Sequence, residues 1–190
     1  LFRVWGFRES FALRSPLALT PSALAAVEAF GPRTDDPSLE CIPPGMPNAI
    51  TNPYPMEFID EGNRIIQRIE EWDARRVIHI TEEARARTEA PSHLGYSVGF
   101  WEGNTLIVDT NQIAFPFLDA DGTPMSENVT MVERYTLSEG ATRLEHEIVV
   151  TDPDNLAEPA IWDTTWVYRP GVEVRQFECT LPETPISVYR

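Results

Sequence analysis

Residues 96–113 have the sequence YSVGFWEGNTLIVDTNQI, and this stretch decides the fold. Two runs rich in β-branched and aromatic residues, Tyr96–Trp101 and Thr105–Ile113, flank the short connection Glu102-Gly103-Asn104. A glycine-containing connection of this length between two such runs is typical of a β-hairpin. The stretch therefore predicts two antiparallel strands.

The same pattern continues on both sides of this hairpin. We predict seven further strands, at Met56–Asp60, Arg64–Trp72, Arg75–Ile80, Thr130–Leu137, Arg143–Thr151, Ile161–Arg169 and Val172–Thr180. The total is close to the roughly 8 strands that enclose a side-chain-filled or single-ligand interior. The sequence thus predicts a mainly β protein, a single antiparallel meander that closes into a lipocalin-like β-barrel of about 8–9 strands.

The segment before residue 56 has a different composition. Thr20-Pro21 precedes a run of helix formers that ends at Gly31, which predicts a short helix with a capped start. Prolines then recur between residues 41 and 55 too often for a helix or a central strand, which indicates an extended arm around the barrel. We expect one domain over residues 1–190, with the helix and arm in 1–55 and the barrel strands in 56–180.

The composition excludes several classes of function. The chain carries 30 acidic and 15 basic residues, and every basic residue is arginine. Without lysine, Schiff-base catalysis and Walker-type phosphate binding are excluded, and a net charge of −15 disfavours a nucleic-acid partner. No apolar run approaches the ~20 residues that span a bilayer. Since there is no dinucleotide fingerprint and no metal-ligand spacing among the three histidines, we predict neither a cofactor nor a metal.

The two cysteines are Cys41, in the arm, and Cys179, in the last predicted strand. A disulfide between them would tie the arm to the barrel and suits an oxidising compartment, here the periplasm or the exterior. Closing so long a loop is worth on the order of 4–5 kcal/mol in the chain-entropy treatment. The alternative is two unrelated buried thiols.

Strand alternation selects a histidine as the leading catalytic candidate. In Arg143–Thr151, His146 shares a face with Leu144, Ile148 and Val150, so its side chain is expected to point into the barrel. An imidazole in a pocket suits proton transfer near neutral pH, although a histidine on an apolar face is more often a structural residue. His79 is expected outward or at the rim, where it could contact a ligand.

Charged residues in the middle of strands complete the candidate catalytic set. We expect Asp109, Glu133 or Asp163 to orient His146, and Arg134 to stabilise developing negative charge. Inward carboxylates need positive partners, and Arg134 and Arg169 could supply them. Buried structural ion pairs explain these residues equally well.

Aromatic residues are the candidate ligand contacts. Tyr96 shares a face with Phe100, Trp162 shares a face with Trp166, and the long loop Ala114–Val129 contains further apolar rings. Such faces can stack on a planar apolar ligand or form an ordinary core. The candidate binding set is Tyr96, Phe100, Trp101, Phe115, Phe117, Trp162 and Trp166, with His79.

Three motifs carry a resemblance to a known group. They are Cys41–Pro47 (CIPPGMP), Pro53–Glu57 (PYPME) and Gly95–Thr110 (GYSVGFWEGNTLIVDT). From about Leu17 to Cys179 the chain resembles an uncharacterised family of small, commonly exported bacterial proteins. The resemblance implies a Gram-negative origin and an envelope location, and the family has no agreed activity. The chain departs from the family pattern after His79, where Ile80–Arg85 replaces an Asp-Gly-Arg turn.

These observations leave more than one function open. The leading hypothesis is a barrel that binds a small apolar or aromatic molecule and performs cofactor-independent acid/base chemistry on it, as a lyase, isomerase or hydratase. The alternatives are a carrier of the lipocalin type that leaves its ligand unchanged, and an envelope module with a solid interior. The sequence makes no prediction of oligomeric state.

Overall fold

The structure, a computed structural model, describes residues 1–87 and 89–181. Its main element is one ten-stranded sheet that is nearly closed into a barrel, so the predicted fold class is confirmed. The strands are β1 Val4–Trp5, β2 Phe7–Leu13, β3 Met56–Asp60, β4 Arg64–Ile69, β5 Ala74–His79, β6 Tyr96–Glu102, β7 Thr105–Asn111, β8 Thr130–Leu137, β9 Arg143–Thr151 and β10 Ala160–Val167.

The N-terminal segment joins the two edges of the sheet. Strand β1 pairs with β3, and β2, only one residue further on, pairs with β10. Gly6 separates the two strands, and a Cβ atom there would lie 2.5 Å from Cγ1 of Val172. The sequence did not predict this segment as a strand.

The predicted ninth strand, Val172–Thr180, is wrong. Those residues form no strand, and β2 occupies the place beside β10. Two of their backbone N–H groups bind side chains at the end of the barrel instead of a neighbouring strand. Arg175 N donates to Glu70 at 2.8 Å, and Phe177 N donates to Asp73 at 3.1 Å.

One pair of neighbouring strands is parallel, which the predicted antiparallel meander did not include. Strands β5 and β6 pair in parallel through Ile78↔Ser97 and His79↔Val98, and the other neighbours are antiparallel. If β1 and β2 count as one segment, nine strand positions surround the axis. A ring with an odd number of positions cannot alternate direction throughout, so closure requires one parallel pair.

The predicted short helix is α1, Pro21–Ala29, and it is confirmed. Thr20 caps it by accepting a hydrogen bond from Ala23 N at 3.3 Å. Short 3-10 turns interrupt the arm, which was expected to be extended, and also occur between strands. They are Pro37–Glu40, Asn48–Ile50, Glu71–Asp73, Glu82–Ala86 and Glu139–Ala141.

A disulfide fastens the arm to the C-terminal segment. Cys41 and Cys179 are bonded, with Cα atoms 5.8 Å apart, so the predicted disulfide is confirmed. A disulfide is compatible with an oxidising compartment. Within the described ranges, no helix has the length and apolar character needed to cross a membrane.

Side chains from most of the strands fill the barrel interior. Those of β1, β3, β4, β5, β7, β8, β9 and β10 form one apolar cluster, in which Ile78, Leu106 and Leu144 are fully buried. Trp162 and Trp166 belong to this cluster, with exposed fractions of 6% and 1%. The interior also contains polar side chains, which are the first of two sites described below.

Candidate functional site

Seven polar side chains meet inside the barrel, and we call them the barrel network. Each is at most 3% exposed. They come from six consecutive strands, β4 to β9. The register of these strands brings the seven side chains to the same level of the barrel. The barrel network consists of Gln67, Arg76, Ser97, Thr110, Glu133, Tyr135 and His146.

Arg76 is the centre of the barrel network. Its Nε donates to Ser97 at 2.8 Å, and its Nη1 donates to Gln67 at 3.1 Å. Its Nη2 donates to Thr110 and to Glu133 Oε2, both at 2.5 Å. A buried guanidinium is costly unless its donors are satisfied and a carboxylate neutralises it, and both conditions are met here.

The second oxygen of Glu133 binds two aromatic side chains. Oε1 accepts from the Tyr135 hydroxyl at 2.6 Å and lies 3.1 Å from His146 Nε2. The rings of Tyr135 and His146 stack with centroids 4.0 Å apart. Burial alone would raise the pKa of Glu133, but the charge of Arg76 and the contact with His146 lower it to about 2. Glu133 is therefore an ionised carboxylate with its positive partner in place.

The structure brings together two of the five predicted catalytic residues. His146 and Glu133 point inward and touch, as the alternation indicated. Their catalytic roles stay predictions. The interior cation is Arg76, which is not among the predicted site residues.

The other three predicted catalytic residues lie on the outer face, which corrects the expected orientation. Asp109 is exposed, because Val108 and Thr110 take the inward positions of β7. Arg134 is 47% exposed and lies 3.6 Å from Glu147. Asp163 accepts from Arg14 at 2.6 Å. These residues are on the opposite side of the sheet from the His146 ring.

Arg169 is also outside the barrel network. Its guanidinium lies over the ring of Phe7, 4.3 Å from the centroid. The prediction that it partners an inward carboxylate is therefore wrong.

A second site lies at the end of the barrel where β4 and β7 finish, and we call it the end cleft. It has a volume of about 130 Å³. The arm, the turn after β4, the end of α1 and the loop after β7 form its walls. Its aromatic lining is Phe30, Trp72, Phe115 and Phe117, and its polar lining includes Asp36, Asn48, Asn52, Glu71 and Asp119.

Glu71 is the most deeply buried acidic group in the cleft, with an exposed fraction of 8%. Asn52 Nδ2 lies 2.9 Å from each of its carboxylate oxygens and donates to the carboxylate. Burial raises the pKa of Glu71, and the hydrogen bond from Asn52 offsets part of that rise. Glu133 is paired with the cation Arg76, which lowers its pKa. Glu71 is paired instead with the neutral side-chain amide of Asn52.

The turn that carries Glu71 has an unusual backbone. Trp72 and Asp73 adopt left-handed conformations, with φ of 61° and 49°. Non-glycine residues in this region cost roughly 1–2 kcal/mol each, and such residues cluster at functional sites. The C-terminal segment supports the turn, since the Phe177 ring lies 4.9 Å from Trp72.

The loop after β7 and helix α1 supply the aromatic wall. The Phe30 and Phe117 rings are 5.0 Å apart, and those of Phe115 and Phe117 are 6.4 Å apart. Gly122, with φ of 78°, lies against Phe30, and a Cβ atom there would come within 2.1 Å of the ring. Phe115 and Phe117, two predicted ligand contacts, thus line the end cleft.

The remaining predicted ligand contacts lie elsewhere. Trp162 and Trp166 are in the barrel core. Tyr96 stacks on His79 at 5.0 Å beside a depression on the barrel wall. Phe100 lies under the Arg85 guanidinium at 4.6 Å, and Trp101 is 41% exposed next to Phe2. The predicted aromatic set therefore does not form one site.

Sequence analysis missed Glu71 and Asn52. The prediction Arg64–Trp72 extended β4 past its end at Ile69, which placed Glu71 in a strand. The sequence did indicate the orientation of Glu71, because alternate residues of a strand share a face and Glu71 continues the inward series Ile65, Gln67 and Ile69. Nothing in the sequence pairs Asn52 with Glu71, since the contact depends on how the arm crosses the barrel end.

No protein-family model, no curated protein and no solved structure matches the chain. The resemblance to exported bacterial proteins therefore stays a prediction. Function is inferred from the contrast between the barrel network, whose charges are paired, and the end cleft, which is open.

Proposed function

We propose that the protein binds a small aromatic or apolar molecule in the end cleft and that Glu71 exchanges a proton with it. The observation that carries this proposal is a buried carboxyl group in an aromatic cleft, with a raised pKa and, within residues 1–87 and 89–181, no arginine partner. Such groups are typical of general acid–base sites. Asn52 would hold the carboxyl in place.

The size of the end cleft supports a ligand of about one ring. Its volume is about 130 Å³, close to the ~150 Å³ of an engineered apolar cavity that binds benzene. Phe115 and Phe117 meet nearly edge to face, at 83°, and Phe30 and Phe117 at 64°. A flat ring is the shape that such a wall accommodates best.

We propose a structural role for His146, the residue that the sequence favoured as catalyst. Its Nε2 is engaged with Glu133, and its ring is stacked on Tyr135. A substrate would have to displace packed core side chains to reach it. We therefore assign the acid–base role in the proposed cofactor-independent lyase, isomerase or hydratase reaction to Glu71 instead of His146.

A carrier without a reaction is the second candidate. Asp36 and Asp119 accept hydrogen bonds from nearby backbone N–H groups, so Glu71 is the acid least committed to local structure. A single carboxyl group such as Glu71 can hold a ligand by a hydrogen bond without catalysing a reaction, so the same site also suits a carrier. In either case we place the protein in the periplasm or outside the cell, since its disulfide suits an oxidising compartment.

A nuclear magnetic resonance titration tests the proposed site. Phenol, benzyl alcohol and toluene are added to the protein, and the side-chain amide signal of Asn52 is followed. We expect a saturable shift in the wild type and in Glu82→Gln, a matched change at an 87% exposed side chain. We expect weaker binding in Phe117→Ala. Unchanged Asn52 signals with all three probes would refute the site.

Recovery of the bound molecule separates the enzyme from the carrier. Small molecules that copurify with the protein are identified by mass spectrometry and then incubated with fresh protein. Conversion that is lost in Glu71→Gln supports acid–base catalysis. Release of unchanged molecules from both proteins supports the carrier.

A further inference from the structure

The charges that line the end cleft all have the same sign. Asp36, Glu71 and Asp119 contribute carboxylates, and its lining includes no arginine and no histidine among the residues that the structure describes. Within the same residues, none of the three carboxylates forms an ion pair. The charged side chains that line the cleft are therefore all acidic among the described residues.

Neutral donors hold these carboxylates without removing their charge. Asp36 accepts from Ser38 N at 2.8 Å. Asp119 accepts from the N–H groups of Asp121 and Thr123 at 3.1 Å, and from the Thr123 hydroxyl at 2.8 Å. With Asn52 on Glu71, the acidic groups are fixed in position before a ligand arrives. Preorganised charge of this kind favours a ligand of opposite sign.

The aromatic lining favours the same sign of ligand. Phe30, Trp72, Phe115 and Phe117 line the cleft, and an aromatic ring can attract a cation through its negative face as well as contact apolar groups. The net charge of −15 adds a long-range attraction for cations. Carboxylates and aromatic faces in one small cleft are the combination that recognises organic ammonium groups.

We propose that the end cleft selects a compact organic cation, an ammonium group on a single ring. This proposal rests on the proposed function and names the class of its ligand. The ammonium would lie against Glu71, where a charge-assisted hydrogen bond replaces the missing arginine. The ring would lie against Phe115 and Phe117.

A metal ion fits the end cleft less well. Among residues 1–87 and 89–181, no three His, Cys, Asp or Glu side chains are grouped to hold one. Phenylalanine rings also offer no oxygen or nitrogen ligand to a hydrated ion. An organic cation uses both the carboxylates and the rings.

Three probes that share one ring test the proposal. Benzylammonium, benzyl alcohol and benzoate are titrated into the full chain at low ionic strength, with the Asn52 side-chain amide as the reporter. We expect benzylammonium to bind roughly tenfold more tightly than benzyl alcohol, the scale of one charge-assisted hydrogen bond, and benzoate to bind most weakly. Glu71→Gln should reduce the preference for benzylammonium over benzyl alcohol, and Glu82→Gln should keep it.

The outcomes separate this proposal from the proposed function. If benzyl alcohol binds as tightly as benzylammonium, the cleft binds rings but the cation proposal is overturned. If no probe shifts Asn52, both proposals fail. If calcium or magnesium chloride shifts Asn52 more than sodium chloride at equal ionic strength, the site takes a metal ion and the proposal is also overturned.

A second variant keeps the test decisive if Glu71→Gln does not fold. Asp36→Asn removes one negative charge from the cleft and retains a residue that can cap the following turn. We expect it to weaken benzylammonium binding and leave benzyl alcohol binding unchanged. Equal effects on the two probes would count against the cation.

Discussion

Two buried glutamates in this protein have pKa values shifted in opposite directions. Glu133, fully buried in the barrel network, lies 2.5 Å from Arg76, and its pKa is lowered to about 2. Glu71, 8% exposed in the end cleft, is held by the neutral side chain of Asn52, and its pKa is raised. The partner, rather than the depth of burial, decides the direction.

From this difference we infer that the barrel network is structural, and we propose that the end cleft is the functional site. The barrel network supplies its own cation and hydrogen-bond donors, so it stabilises one arrangement of the strands. In the end cleft no described residue supplies a counter-charge to Glu71, and we propose that a ligand supplies it. The following predictions change one site at a time and are ordered by the size of the expected effect.

Removing the interior cation should have the largest effect. Arg76→Leu leaves Glu133 buried without its positive partner, and we expect the free energy of unfolding to fall by about 3–5 kcal/mol. Denaturant unfolding measures the change. Arg68→Leu, on β4, removes an exposed arginine 2.9 Å from Glu57 and should cost less than about 1 kcal/mol. Equal losses in the two variants would contradict a structural role for the barrel network.

Removing the disulfide should act on the end cleft. In Cys41→Ser/Cys179→Ser we expect the free energy of unfolding to fall by about 2–4 kcal/mol. Hydrogen exchange should show faster exchange at Phe177 N, which binds Asp73 beside the cleft. The exchange rates of the β8 and β9 amides should increase only by the amount that the lower global stability predicts. Faster local exchange in the barrel instead would contradict the separation of the two sites.

The pH dependence of stability should identify Glu71 as the destabilised carboxylate. Because its folded pKa is raised, its contribution is fully present below the unfolded pKa and is lost as pH rises through the folded pKa. Glu71→Gln should therefore gain stability relative to the wild type between acidic and neutral pH. Denaturant midpoints across that range measure the gain, and a constant difference would refute it.

Substitution of a carboxylate on the outer face of the barrel should have the smallest effect on stability and on ligand binding. Asp109→Asn changes an exposed side chain, so we expect a change in unfolding free energy within about 0.5 kcal/mol and no change in ligand binding. Glu133→Gln is the matched change inside the barrel and should be far more destabilising. A large effect of Asp109→Asn would restore its predicted role.

The sequence predicted the features that depend on strand period. In β9 the apolar residues alternate cleanly, so His146 could be placed inward. In β7, Leu106, Ile107 and Val108 are all apolar and buried, so the parity of Asp109 was ambiguous. Alternation placed His146 correctly in β9, where the opposite face is mostly charged, and was ambiguous in β7, where residues on both faces are buried.

The features that sequence analysis missed depend on distant parts of the chain. β2 pairs with β10 through Leu13 and Trp162, and Arg14, just after β2, binds Asp163, which lies 149 positions further along the chain. Neither strand shows its partner in its local sequence pattern. The end cleft likewise combines α1, the arm, the turn after β4 and the loop after β7. Local rules describe each piece but not their meeting point.

A carboxyl ¹³C titration of the wild type tests the central claim most directly, with Glu71→Gln and Glu133→Gln used to assign the two signals. We predict that the pKa of Glu71 is raised above the usual value for glutamate and that the pKa of Glu133 is lowered to about 2. We also predict that benzylammonium lowers the pKa of Glu71 alone. Two glutamates that titrate alike, or a ligand that moves Glu133 and not Glu71, would contradict the account.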